Sequence, residues 1–334
     1  MGTISHGQKK NIGMQIQIKR YETQMHSDWD AFTKESRTPT LLHLRNYMDY
    51  HKDRFTDASL VFCNEKGQII ALLPACLSNK QENTICSHEG LTYGGFICAP
   101  HLHCKDLSTI VRLTIDYYRD KMQIAALRIK PIPYIYGVTP SQDELYILST
   151  YGATLHERHL SQAIRLRHPA AMSQLRKRSI NKAKRNNLKV IVSKEENEWR
   201  MYHDLLTRIL EQRHHTKPVH TADELLQLHH SFPDQIRLYV TMKDNQLLAG
   251  SVVYVSPQVA HTQYLASSDE GRELGALDLV IAHLLHDPYI AQCEYLDFGV
   301  STERDGTLNL GLASQKEGFG ASGVCYDTYL LRLQ

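Results

Sequence analysis

The same strand–turn–strand pattern occurs twice in the sequence, and this repeat restricts the possible folds more than any other feature. Residues 59–78 and residues 237–256 each contain two apolar runs on either side of a polar turn. The turns lie at residues 64–67 and 243–245. Identical residues stand at four aligned positions: Leu60/Leu238, Gln68/Gln246, Ala71/Ala249 and Ser78/Ser256. Apolar runs that flank a polar turn predict a β-hairpin.

The segments that follow the two hairpins also share one order, which is strand, glycine-containing loop, helix and strand. In the first half these elements are predicted at residues 84–86, 90–95, 107–122 and 124–129. In the second half they are predicted at residues 261–266, 271–275, 277–286 and 294–298. A repeat of this kind predicts that one α/β unit has been duplicated.

The length of 334 residues fits two domains of ordinary size. Pro169 and the change from a strand-like pattern to a helix-like pattern at Ser173 mark a boundary between them. We therefore predict one domain over residues 14–165 and a second over residues 166–334. Residues 1–13 are polar, and we predict that they form a disordered tail.

Composition and charge exclude several classes of protein. The formal net charge is +2, so the chain has no overall nucleic-acid signature. It has no apolar run long enough for membrane insertion and no apolar stretch of a signal peptide near its N-terminus. Its seven cysteines include no CxxC pair. These features predict a cytoplasmic protein with reduced thiols.

The segment from Ser267 to Leu277 is the first candidate for a binding site, because it is predicted to connect a strand to the start of a helix. Backbone N–H groups at such a position favour a phosphate. This segment resembles the Gln/Arg-x-x-Gly-x-Gly/Ala loop of the GNAT superfamily. Arg272 and Gly275 match its first two specified positions, and Leu277 departs from the third, where the motif has Gly or Ala. The resemblance implies acetyl-CoA or another acyl-CoA as co-substrate, held by Arg272, Gly275, Ala276 and Leu277.

A basic segment is the second candidate, since no acidic residue occurs from Arg158 to Lys194. On a helix, Arg178, Lys182 and Arg185 would share one face. Such a face suits an anionic ligand, for example a nucleotide diphosphate or the backbone of a tRNA. The alternative is a solvated basic helix without a ligand.

Two further motifs resemble the FemAB-like branch of the GNAT superfamily. The first is the helix pattern with Lys177 in the position of the leading arginine, followed by Ile180, Ala183, Leu188 and Val190. The second is an Asp-Phe-Gly segment at residues 297–299, followed by Lys-x-Gly-Phe-Gly at residues 316–320. The resemblance extends from about Trp29 to Leu333. It implies an α/β (α+β) fold of two tandem GNAT-like domains, each a mixed, mostly antiparallel sheet flanked by helices.

The family resemblance also suggests catalytic residues. In FemAB-like proteins the lysine of the last motif lies at the acyl-transfer centre, and Lys316 occupies the matching position. An ammonium group there would neutralise a developing oxyanion or hold a substrate phosphate. Glu303 and Asp297 would accept a proton from the incoming amine. The alternative is that Lys316 is a surface residue and that the neighbouring glycines serve only in turns.

Residues of two loops are predicted to contact the acceptor. Lys217 and His220 lie in a segment that resembles the Lys-Pro-x-His loop of some FemAB-like acetyltransferases, although a histidine-rich surface is an equal alternative. His88 and Tyr93 lie in the loop of the first half that lines the inter-domain cleft in that family. The Cys and His residues at 98–104 have no zinc-ligand spacing, so no metal is predicted.

These observations predict an N-acyltransferase that transfers an acyl group, expected to be acetyl, from acyl-CoA to a primary amine. The acceptor would be a small molecule, such as an amino sugar or a cell-envelope precursor, either free or nucleotide-linked. One alternative is a FemAB-type aminoacyltransferase that uses aminoacyl-tRNA to modify a peptidoglycan precursor. Pro218 interrupts residues 196–231, so a long coiled-coil arm is not expected, which favours CoA. Another alternative is a non-catalytic RNA-binding module.

Overall fold

The computed structural model describes residues 14–303 and 305–333, except for the side chain of His214, so the tail predicted at residues 1–13 lies outside the described residues. The helices are α1 (His26–Glu35), α2 (Arg45–Met48), α3 (Cys104–Asp116), α4 (Asp143–Thr150), α5 (Gln174–Arg185), α6 (Glu196–His214), α7 (Ala222–Ser231), α8 (Asp269–Leu274), α9 (Ala276–Leu284) and α10 (Leu310–Glu317). None of them is both long enough and apolar enough to cross a membrane.

The strands form two sheets of mixed but mostly antiparallel pairing. They are β1 (Gln17–Arg20), β2 (Leu60–Cys63), β3 (Ile69–Leu73), β4 (Cys76–Leu77), β5 (Thr84–Cys86), β6 (Ile97–Cys98), β7 (Ala126–Ile129), β8 (Thr154–Arg165), β9 (Lys189–Ser193), β10 (Ile236–Lys243), β11 (Gln246–Val255), β12 (Val259–Ser267), β13 (Tyr295–Val300) and β14 (Ser322–Arg332). The smaller sheet has the order β1-β2-β3-β6. The larger has the order β4-β5-β7-β14-β8-β13-β12-β11-β10-β9.

The larger sheet contains strands from both halves of the chain. Strand β14 pairs with β7 on one side, where Tyr329 faces Ile129. On its other side it pairs with β8, where Cys325 faces Leu160. The predicted mixed α/β composition is confirmed. The sharing of one sheet by both halves is a further feature that the repeated hairpins did not indicate.

The predicted repeat is visible as the same crossover in each half. Strands β5 and β7 are parallel and α3 lies between them in the chain. Strands β12 and β13 are also parallel and are connected through α8 and α9. Both predicted hairpins are confirmed, as β2–β3 and as β10–β11.

The glycine-containing loop predicted at residues 271–275 was wrong, because most of this segment is helix α8. Ser268 caps the helix, and its side chain accepts a hydrogen bond of 3.0 Å from the backbone N–H of Gly271. Asp269 and Glu270 lie in the first turn, where a helix favours negative charge. These signals outweigh the low helix propensity of Gly271.

The buried apolar side chains form three clusters that match this arrangement. One consists mainly of first-half residues, such as Phe62 and Tyr118, together with Leu331 and Leu333. Another consists almost entirely of second-half residues, such as Leu248 and Val280. The third joins side chains from both halves, among them Trp29, Tyr47, Trp199 and Tyr202. Because burial of a large apolar side chain stabilises by about 1.5–3 kcal/mol, the third cluster holds the halves together. The domain limits at residues 165 and 166 stay a prediction.

Candidate active site

Strands β12 and β13 pair over only three positions and then separate. Val259, Ala260 and His261 face residues 295–297 in parallel register. Beyond Asp297, β13 continues along β8, where Val300 faces Ser161. Among the described residues, no strand pairs with the β13-facing edge of β12 after residue 261. Backbone N–H and C=O groups on that edge are therefore available to a ligand.

A cavity of about 320 Å³ lies beside the end of β12 and the start of α9. Three arginines line it, namely Arg176, Arg213 and Arg272. Ser267, Gly275 and Leu277 are also in its wall. The first N–H groups of helix α9 have no carbonyl partner within the helix, and the helix dipole attracts anions. This combination suits a phosphate group.

Gly275 fixes how α9 begins. Its φ of +76° lies in the left-handed region that favours glycine. A Cβ on this residue would lie 2.5 Å from the backbone oxygen of Ser179 in α5. The glycine therefore allows α5 to pack closely against the start of α9.

The four residues predicted to hold CoA lie together at this place. Arg272, Gly275 and Leu277 line the cavity, and Ala276 is buried beside them as the first residue of α9. Arg176 lies in the same wall, and this position was not predicted from the sequence. Its guanidinium is paired with Asp278 of α9 at 3.0 Å.

A buried carboxylate lies at the point where β12 and β13 separate. Asp297 is fully buried, and its carboxylate accepts hydrogen bonds from Ser161 at 2.5 Å and from Tyr326 at 2.6 Å. Its Oδ2 also lies 2.8 Å from Nδ1 of His261. Burial alone would raise the pKa of Asp297, but the hydrogen bonds from His261, Ser161 and Tyr326 hold it below its usual value. Asp297 lies in the middle of β13, which continues two residues beyond the strand predicted at residues 294–298.

A chain of tyrosines continues from this carboxylate toward the first half. The hydroxyl groups of Tyr326 and Tyr136 are 3.3 Å apart. The rings of Tyr136 and Tyr93 lie 4.5 Å apart, and the hydroxyl of Tyr93 is 3.0 Å from Oγ1 of Thr40. Tyr93 was predicted to contact the acceptor, and the structure places it in this buried chain.

His261 was not selected from the sequence. It belongs to a strand whose neighbours Val259 and Ala260 are fully buried, so a histidine there was a signal of a buried polar partner. Its partner comes from a distant segment and was not identifiable from local spacing.

Lys316 is buried in the last turn of α10, and its ammonium group has three hydrogen-bond acceptors. It donates to the carbonyl oxygens of Gly299 at 2.7 Å and Val300 at 2.9 Å, and to Oγ of Ser301 at 2.7 Å. Burial lowers the pKa of Lys316 to about 8, while the charge of Asp297 acts in the opposite direction. The alternative of a surface lysine was therefore wrong. The ammonium group secures the end of β13.

Glu303 is exposed in the loop after β13. Its Oε1 accepts a hydrogen bond of 2.6 Å from Nδ2 of Asn309. The structure thus separates the two predicted proton acceptors, with Asp297 buried beside His261 and Glu303 on the surface.

Arg178, Lys182 and Arg185 lie on helix α5, as predicted, and all three are exposed. They do not occur among the residues that line the arginine-rich cavity described above. Arg176, on the same helix, is the arginine that reaches this cavity.

The predicted acceptor residues lie in different environments. Lys217 is exposed and pairs with Glu211 at 3.6 Å. His220 is buried, and its Nδ1 lies 2.7 Å from the hydroxyl of Tyr264. His88 is buried in the first half, where burial lowers its pKa to about 3. These residues do not form one cluster with Lys316.

The described part of the chain contains no group of three or more His, Cys, Asp or Glu side chains placed to hold a metal ion.

Comparisons with known proteins agree with this geometry. Residues 171–305 match the family model described as an acetyltransferase (GNAT) domain. The search of curated proteins found no match. The crystal structure of FemX is similar with a TM-score of 0.68 at 11% identity, covering 95% of this chain and 97% of that chain.

Two other solved structures have the same architecture. L-PGS from Bacillus licheniformis has a TM-score of 0.59 at 12% identity, covering 91% of this chain and 90% of that chain. A tandem GNAT protein from the clavulanic acid biosynthesis pathway has a TM-score of 0.54 at 12% identity, covering 96% and 99%. At identities of 11–12%, likeness to a solved structure is evidence for the fold alone. It shows a FemAB-like tandem GNAT fold. The family match over residues 171–305 identifies this part of the chain as the GNAT domain of an acyltransferase.

Proposed function

We propose that this acyltransferase transfers an acyl group, expected to be acetyl, from acyl-CoA to the primary amine of an amino sugar or cell-envelope precursor. The observation that carries the proposal is the arginine-lined cavity at the start of α9, next to the free edge of β12. A cationic cavity at a helix N-terminus suits the pyrophosphate of CoA. The unpaired strand edge suits the amide-containing arm that follows it.

The charges in the cavity favour an anion. Arg272 is 2.7 Å and Arg213 is 3.6 Å from the same carboxylate oxygen of Asp269, whose side chain is 88% exposed. An exposed pair of this kind contributes little, so a phosphate can take its place at small cost. Arg176 is held by Asp278 and sets the shape of the wall.

Catalysis would rest mainly on holding the donor and the amine together. Backbone N–H groups of β12 near Tyr264–Ala266 would polarise the thioester carbonyl. Lys316, which secures the end of β13, is proposed to support the same centre. The seven cysteines are free thiols, which supports a cytoplasmic setting.

A second candidate is an aminoacyltransferase that uses aminoacyl-tRNA. The likeness to FemX and the exposed face of Arg178, Lys182 and Arg185 support it. Against it, α6 has 19 residues and α7 has 10, so residues 196–231 do not form the long helical arm that we associate with tRNA-dependent relatives.

The test is thermal unfolding of the protein with CoA and, separately, with deacylated tRNA. The proposal expects CoA to raise the Tm and tRNA to leave it unchanged. The double variant Arg213→Gln/Arg272→Gln should lose the response to CoA. The matched control Arg178→Gln/Arg185→Gln, on the exposed face of α5, should keep it.

Other outcomes would support the alternatives. A response to tRNA alone that is lost in the α5 variant would favour the aminoacyltransferase. RNA affinity that falls steeply with salt, without any acyl transfer, would favour a binding module. Either result would overturn the assignment of CoA as donor.

A further inference from the structure

We propose that Nε2 of His261 accepts the proton of the acceptor amine, and that Asp297 is the residue that positions it. This inference rests on the proposed function, because it assigns a proton acceptor to the acyl-transfer reaction. It names a side chain that neither the sequence motifs nor the comparisons indicate.

The first support is the hydrogen bond that fixes the imidazole. Nδ1 of His261 lies 2.8 Å from Oδ2 of Asp297. A carboxylate can only accept, so Nδ1 must carry the hydrogen. In the neutral ring this leaves Nε2 with a free lone pair, which is the arrangement that a general base requires.

The second support is that Asp297 is held as an anion at a place without solvent. It is 0% exposed and receives hydrogen bonds from Ser161, Tyr326 and the backbone N–H of Gly299, in addition to His261. Such a set of donors stabilises the charged form of a buried carboxylate. An anion beside Nδ1 also stabilises the imidazolium that forms when Nε2 takes a proton.

The third support is the position of the ring. His261 and Asp297 are the last residues that pair β12 with β13, so the imidazole lies where the two strands begin to separate. The side chain of His261 remains 13% exposed. A Cβ on Gly299 would lie 3.2 Å from Cε1 and 3.8 Å from Nε2 of His261. The glycine therefore keeps space open on the Nε2 side of the ring.

The other polar groups near the pair of His261 and Asp297, called here the dyad, come from several elements. Tyr326 of β14 donates a hydrogen bond to Asp297, and Tyr254 of β11 is paired with His261 of β12 in the sheet. Lys316 of α10 binds the carbonyl oxygen of Gly299. Glu303, the acceptor suggested by the sequence, is exposed and engaged by Asn309. His261 is better placed than Glu303 to receive a proton inside the gap.

The chemical step is balanced as follows. The acceptor ammonium gives one proton to Nε2, and its nitrogen then attacks the thioester carbonyl carbon. The new C–N bond forms, the C–S bond breaks, and the CoA thiolate leaves with the second proton of the nitrogen. The imidazolium of His261 then releases its proton to solvent. The products are the amide, CoA thiol and one proton.

The activity test uses acetyl-CoA and glucosamine as probes and compares His261→Gln with the control His230→Gln, an exposed histidine of α7. Loss of a general base should reduce kcat by about 10²–10⁴-fold. The deficit should shrink as the pH approaches the amine's own pKa, because the free amine then forms without help. The control should keep the rate and pH profile of the unmodified protein.

A spectroscopic test reads the tautomer without turnover. Long-range ¹H–¹⁵N spectra of the imidazole, assigned with His261→Gln, should show the proton on Nδ1 at neutral pH. In Asp297→Asn the proton should shift toward Nε2. Either a His261→Gln enzyme with unchanged rate and pH profile or a proton on Nε2 in the unmodified protein would overturn the inference.

The two proposals fail in different ways. If CoA does not raise the Tm, the donor assignment fails while the tautomer measurement still decides the state of His261. If CoA binds and glucosamine is acetylated at the same rate by His261→Gln, only the role of His261 fails.

Discussion

Nη1 of Arg176 in helix α5 lies 3.1 Å and 3.0 Å from the two carboxylate oxygens of Asp278 in helix α9. The side chain of Asp278 is only 7% exposed, so this pair is largely removed from water. The guanidinium also lies 5.3 Å from the centre of the Phe319 ring. The pair thus connects two helices at the wall of the proposed CoA cavity.

Replacing Arg176 by Ala should destabilise the protein by about 3 kcal/mol, because it leaves the carboxylate of Asp278 buried without its partner. Urea unfolding measures this free energy. The double variant Arg176→Ala/Asp278→Ala should recover part of the loss, since no unpaired charge remains. Arg178→Ala, on the exposed face, should stay within about 0.5 kcal/mol. Equal effects of Arg176→Ala and Arg178→Ala would contradict the buried pair.

Gly275→Ala should cost more stability than Gly67→Ala. Both glycines have positive φ, +76° and +78°, so both substitutions strain the backbone. Nothing lies within 4 Å of a Cβ at Gly67, whereas a Cβ at Gly275 would lie 2.5 Å from the backbone oxygen of Ser179. The difference in Tm between the two variants therefore reports the contact of α5 with α9. The same Gly275 variant should lose its Tm response to CoA, and a retained response would argue against this cavity.

Protonation of His220 should lower the free energy of unfolding in acid. Burial lowers its pKa from the ordinary 6.5 to about 4 in the folded protein. Between pH 6.5 and 4 the unfolded chain binds a proton that the folded protein excludes, so stability falls as the pH falls through this range. The shift corresponds to about 3 kcal/mol.

The measurement is the free energy of unfolding of the unmodified protein and of His220→Phe from pH 7 to pH 4. The variant loses the hydrogen bond with Tyr264 at every pH, but it should lose less stability than the unmodified protein on acidification. His230→Gln, at an exposed position, should follow the unmodified protein. Parallel curves for all three proteins would exclude this contribution of His220.

Lys316→Met should lower both stability and turnover. It removes the donors to Gly299, Val300 and Ser301, and each buried polar group left unpaired costs about 1–3 kcal/mol. The end of β13 would then be free to move beside the dyad. Glu303→Gln can keep its contact with Asn309, so it should change turnover little if His261 is the proton acceptor. Unchanged turnover in both variants would remove Lys316 and Glu303 from the reaction.

Features with a local pattern were predictable from the sequence. These features depend on residues that are close together in the chain. They are the two hairpins, the basic helix α5 and the glycine of the GNAT-type loop at Gly275. Helix α8 was missed because Gly271 and Gly275 suggested a loop. The capping serine and the two acidic residues that follow it were the signal for a helix.

The candidate site was less predictable, because its parts come from distant segments. His261, Asp297 and Tyr326 meet only because β14, β8, β13 and β12 are neighbours in the larger sheet. Local periodicity does not specify this strand order. Arg176 was missed for a different reason. The regular spacing of Arg178, Lys182 and Arg185 indicates a shared basic face of α5, and this face is the exposed one.

The pairing of β14 with both β7 and β8 has a consequence for biosynthesis. Residues 322–332 leave the ribosome long after residues 126–165. During most of translation, β7 and the edge of β8 that faces β14 therefore have no strand to pair with. Unpaired strand edges favour association with other chains. A fragment of residues 14–165 would retain this problem permanently, and supplying the missing strand as a separate peptide is a rational way to keep it in solution.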